Sequence, residues 1–128
     1  MAASNGMVPS VVRAGYVLAA MGAVFAGAAL FAPDLLRTLY SLARSSGPAV
    51  AMEPAALLGA GLYGAFMVGW GLMAARVASG HSLRSAMTVG AVSWFVVDSS
   101  ASLWLGFGWN ALSNVGFLVV FVLLTRKR

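Results

Sequence analysis

Apolar residues in this chain fall in four long runs separated by short polar breaks, and the breaks carry the residues that end or start helices. The first run extends from Val11 to Ala32, interrupted only by Arg13, and stops at Pro33-Asp34. The second opens at Glu53-Pro54, an acid and a proline suited to a helix N-terminus, and continues to Ala78. Ser79-Gly80-His81-Ser82 is a turn, with Ser82 placed to cap the third run, Leu83 to Leu105. Gly106-Phe107-Gly108 precedes the fourth, Trp109 to Leu124. About 20 helical residues cross a hydrocarbon core of roughly 30 Å. The pattern therefore predicts an all-α, integral membrane four-helix bundle, a single domain over 11–125 with spans near 11–32, 54–78, 83–105 and 109–124.

Between the first two runs the period changes. Leu35, Leu36, Leu39, Leu42 and Ala43 fall on one side of a helical wheel; Asp34, Arg37, Thr38, Ser41 and Arg44 fall on the other. This predicts a short amphipathic helix over 34–44 lying in the membrane interface, followed by a loop at Ser45-Ser46-Gly47-Pro48. Residues 1–10 read as a flexible tail and 126–128 as a basic end. Ala26-Gly27-Ala28 offers a small-residue cleavage site, but the apolar run is longer than a signal core, so a retained span is expected.

Composition strengthens this picture. Of 128 residues, 61% are apolar and 9% charged, where a soluble domain carries about 25% charged residues. A chain this small could not hide so much apolar surface from water, so lipid is the expected surrounding. The net charge of +5 forms no basic face with interleaved aromatics, and no nucleic-acid partner is expected. It sets topology instead. Four spans put Arg13, Arg76, Arg84, Arg126, Lys127 and Arg128 on one side of the membrane and Arg37 and Arg44 on the other. This asymmetry predicts both termini in the cytoplasm of a bacterial inner membrane. Trp104, Phe107 and Trp109 would form an aromatic belt at the outer interface.

Two features go beyond spanning. Gly15, Ala19, Ala23 and Gly27 make a ladder of small residues at spacing four, and Ala56, Ala60 and Gly64 make another in the second span. Such ladders let helix backbones approach closely, within the chain or with a neighbouring subunit. The second feature is Asp98, an acid inside the third span. A carboxylate at that depth costs a few kcal/mol and normally faces protein or water. Its wheel face holds Ala91, Trp94, Ala101, Ser102 and Leu105, opposite the lipid-suited Val89, Val92, Val96 and Leu103. Asp98 lies roughly 12 Å below the outer boundary at about 1.5 Å per residue. An antiparallel fourth span brings Asn114 to a similar depth, with Asn110 and Ser102 nearer the mouth. A polar cluster of Asp98, Ser102, Asn110 and Asn114, with Trp94 beneath it, is expected either to bind a ligand or to tie helices together.

The sequence excludes several chemistries. With no cysteine there are no disulfides, thiol nucleophiles or thiolate metal sites. The one histidine, His81, sits in a turn and not in the membrane interior, and the methionines read as gap-filling core. No metal ligand set and no cofactor motif emerges, and no loop is long enough for a water-facing catalytic site. The expected function is thus non-enzymatic: an accessory or assembly subunit of a larger membrane protein complex, packing through small-residue faces among lipids. The alternative is a small homo-oligomeric transporter or channel with a proton, cation or small polar ligand site at Asp98. An enzyme acting on lipid ranks last, for want of a nucleophile–base pair.

Overall fold

The computed structural model describes residues 8–43 and 53–125, all of whose regular structure is helical. The predicted features at residues 1–7, Arg44, the 45–48 loop and the basic end at 126–128 lie outside the described residues. Five helices follow in order: α1 Pro9–Phe31, α2 Pro33–Ala43, α3 Pro54–Ala78, α4 Leu83–Trp104 and α5 Gly108–Thr125. By length and composition α1, α3 and α4 can each cross a membrane, which fits a multi-pass membrane protein. The apolar stretch of α5 is shorter than the other three, so three helices meet that length where the apolar pattern predicts four.

Helix boundaries follow local chemistry. Proline needs no hydrogen-bond partner for its nitrogen in a first turn, and Pro9, Pro33 and Pro54 each open a helix. The expected flexible tail is thereby shortened: Pro9 and Ser10 are already helical, and the Val8 N–H donates to the Ala78 carbonyl at 3.1 Å. Asp34 stands in the first turn of α2, where its charge suits the helix dipole. Ser82 caps α4, its hydroxyl accepting from the Ser85 N–H at 3.3 Å. Both remaining turns are closed by a glycine with φ +84°, Gly80 and Gly106. In each the next residue bonds back five positions, His81 N–H to the Arg76 carbonyl and Phe107 N–H to the Ser102 carbonyl. Only glycine takes this left-handed position without strain, so each turn reverses the chain in a few residues.

The helices pack in chain order, α1 on α3, α3 on α4 and α4 on α5, each pair antiparallel, with α2 against α1. On α1 the face toward α3 is Gly15, Ala19, Gly22, Ala26 and Ala29, which are all buried. This departs from the expected ladder. At 3.6 residues per turn a strict spacing of four drifts about 40° per step, so the seam alternates steps of four and three. Ala23 and Ala56 are consequently exposed, and a Cβ added to Gly27 would meet nothing within 4 Å. Gly15, Ala19, Ala60 and Gly64 do lie in the seam, joined by Gly71 and Ala75. A Cβ on Gly22 would stand 2.5 Å from the Gly64 carbonyl oxygen, and one on Gly71 2.5 Å from that of Gly15. Gly69 and Gly90 make the equivalent approach between α3 and α4, at 2.7 and 2.8 Å.

At the other end of α1, the interfacial helix is anchored by one side chain. Leu36 is 1% exposed and packs on Ala28, Ala29 and Ala60, flanked by Phe25 and Leu57. The remaining leucines of α2 stay exposed, and its Arg37–Asp34 ion pair, 3.2 Å and open to the surroundings, adds little.

Candidate functional site

The α4–α5 turn sets the site. Gly106 reverses the chain so that α5 runs back along α4, and the first turns of α5 lie beside the last turns of α4. Asp98, Ser99 and Ser102 occupy one face of α4 at spacings of one and four, and Asn110 and Asn114 occupy one face of α5 at spacing four. Asp98 and Ser102 have no exposed surface and Asn114 is 3% exposed; Asn110 is half-buried, nearer the turn.

Within this seam the donors converge on one oxygen. Asp98 Oδ1 accepts from the Ser102 hydroxyl at 3.1 Å and from Asn110 Nδ2 at 3.1 Å. Asn110 Nδ2 also donates to Ser102 Oγ at 2.7 Å, closing a three-membered ring of hydrogen bonds. Asn114 Nδ2 donates to Ser99 Oγ at 3.4 Å. Asp98 Oδ2, equally buried, has no hydrogen-bond partner. A buried charge without a counter-ion is expensive even after relaxation, by several kcal/mol, so the empty side of this carboxyl is the chemically unfinished part of the cluster.

The depth argument places Asn114 within about a helical turn of Asp98, and Asn114 lies beside the carboxyl; Asn110 donates to Oδ1 and Asn114 donates to Ser99. Sequence reasoning misses Ser99, whose signal is its spacing of three from Ser102 beside Asp98. Trp94 is not brought into the cluster. One turn farther from the Gly106 turn, it lines a groove of about 530 Å³ with Phe66, Trp70, Met73, Met87 and Phe121. That groove opens because α5 packs on α4 and leaves the side facing α3 uncovered. A second, smaller groove of about 400 Å³ lies between Trp94 and Phe117, Leu118 and Phe121.

The expected aromatic belt is at the surface: Trp104 and Trp109 are both exposed, and Trp104 meets Phe31 edge-on at 5.4 Å. At the opposite end Arg76 Nη2 donates to Ser85 Oγ at 3.4 Å, tying α3 to the start of α4. Among the described residues no group of histidine, aspartate and glutamate is placed to hold a metal ion. No family model, no curated protein and no solved structure matches the chain.

Proposed function

We propose that the chain is a non-enzymatic, four-span protein of a bacterial cytoplasmic membrane, with both termini inside, that serves as an accessory or assembly subunit of a larger membrane protein complex. The fourth span in this reading is α5. Its 18 residues extend about 27 Å at 1.5 Å each, close to the hydrocarbon thickness, and a slight thinning of the bilayer accommodates the difference.

The observation that carries the reading is the open edge of the helix row. α5 leans on α4, and the groove it leaves beside α3 is walled by large apolar side chains of three helices and filled by none of them. A helix of another subunit laid along Phe66, Trp70 and Phe121 would cover that wall, leaving short loops outside the membrane. A photo-reactive residue in place of Phe121, in native membranes, tests it. The expected result is a discrete adduct with a different membrane protein; adducts with lipid alone would remove the subunit reading.

One observation favours a second reading, a small homo-oligomeric transporter or channel centred on Asp98: the buried Oδ2 that no donor reaches. Purification in mild detergent separates the two. Stable co-purifying partners support the subunit, and a homo-oligomer alone supports the transporter.

A further inference from the structure

We infer that Asp98 is a one-proton site, with the proton on Oδ2 and the hydrogen bonds of the helix seam held on Oδ1. The inference deepens the Asp98-centred reading above by naming its ligand, and it stands whether or not the chain transports anything.

Three observations combine. The first is the division of labour between the two carboxyl oxygens. The Ser102 hydroxyl and the Asn110 amide both donate to Oδ1, and the Asn114 amide lies beside the carboxyl while donating to Ser99; Oδ2 is buried and has no hydrogen-bond partner. An ionised carboxylate spreads its charge over both oxygens and draws donors to both; with the proton on Oδ2, a neutral hydroxyl and not a charge is left without a partner there.

The second is the absence of a counter-charge within reach, among the described residues. On the helices packed against α4, the charged groups are Arg13 on α1 and Arg76 on α3, and both stand at the far end from the Gly106 turn. α5 carries none. Arg84, on α4 itself, is fourteen residues away, about 21 Å along the axis. At the other end Asp34 and Arg37 pair with each other. Among the described residues no side chain therefore neutralises Asp98.

The third is space. Serine and asparagine oxygens beside a carboxylate would suit a hard monovalent cation, but a cation needs a void with oxygens gathered around it. The apolar grooves at Trp94 and the pocket beside His81 are bordered by none of Asp98, Ser99, Ser102, Asn110 or Asn114. A proton alone needs no cavity.

The chain has only two aspartates, Asp34 and Asp98, which makes the test direct. Full-length protein carrying ¹³C in the aspartate carboxyls, in lipid bilayers, gives two solid-state NMR signals. Asp34→Asn, an exposed change far from the cluster, removes one and identifies the other without touching Asp98. The expected result at neutral pH is the shift tensor of a neutral acid for Asp98, the same in sodium and in choline buffer. An ionised tensor in both buffers overturns the inference. A tensor that is neutral in choline and ionised in sodium overturns it too, and assigns the site to a metal cation. Proton flux into vesicles, measured on the same protein, is independent: a neutral Asp98 without flux keeps the site and removes the transporter.

Discussion

The seam between α1 and α3 and the seam between α4 and α5 hold helices together by opposite means. In the first, glycines oppose glycines, and backbone touches backbone with no room for one more carbon. In the second, Gly108 and Gly116 face open space, and side-chain hydrogen bonds make the connection. Lipid gives no hydrophobic drive for helices to associate, which leaves close packing and polar bonding as the available forces. This chain uses each in a different place. Close packing makes a rigid pair that offers a ligand nothing. Polar bonding makes a looser pair, and there a buried carboxyl oxygen, Asp98 Oδ2, is left without a partner between helices.

The comparison breaks most easily at Gly71. An added Cβ would sit 2.5 Å from the Gly15 carbonyl oxygen and 2.6 Å from the Ala19 nitrogen, and both are backbone atoms that cannot rotate away. Gly71→Ala must therefore push the two helices apart along their length. We expect a loss of about 3 kcal/mol, at the upper end of overpacking effects, read as a shifted midpoint in denaturant titration of the detergent-solubilised protein. Wild-type stability in this variant would mean that the seam is not closely packed.

Next in size come the two asparagines. Asn110→Ala removes bonds of 3.1 and 2.7 Å, whereas Asn114→Ala removes one of 3.4 Å. Interhelical hydrogen bonds in membranes contribute about 0.6 kcal/mol on average and up to about 1.7. The expectation is a loss of about 1.5 kcal/mol for Asn110→Ala and about 0.5 for Asn114→Ala in the same titration. The reverse order would make Asn114, which lies beside both Ser99 and Asp98, the main tie between α4 and α5.

How much of this the sequence revealed also divides along the two seams. The four apolar runs, the Ser82 cap and the burial of Asp98 are consequences of nearest-neighbour chemistry and helical period, so they can be read directly. The exact seam cannot. A ladder of Gly15, Ala19, Ala23 and Gly27 looks regular on paper, but a straight helix turns it out of contact by Ala23. Gly22, which replaces it, is recognisable only once Gly64 is known to stand opposite. The polar cluster shows the same limit. Burial of Asp98 follows from its wheel face, yet the partner that each asparagine takes, Asn110 on Oδ1 and Asn114 on Ser99, depends on how α5 slides along α4, which the tight turn at Gly106 sets. Trp94 shares the face of Asp98 but lies a turn away, where α5 has pulled clear of α3.

The smallest effect concerns the positions that the seam leaves out. Gly27 has open space where a Cβ would be, and glycine is about 0.8–1 kcal/mol less favourable than alanine inside a helix. Gly27→Ala should raise the stability of the isolated protein by up to that amount, opposite in sign to Gly71→Ala although both add one methyl to a helix glycine. The same variant also locates the docking face. Should a partner subunit seat in the groove beside Phe121, it has no reason to feel a methyl at Gly27, and co-purification in mild detergent should be unchanged. Loss of the partner with stability intact would move the docking face to the small-residue edge of α1, where Ala23 and Gly27 look outward, and would leave the groove to lipid.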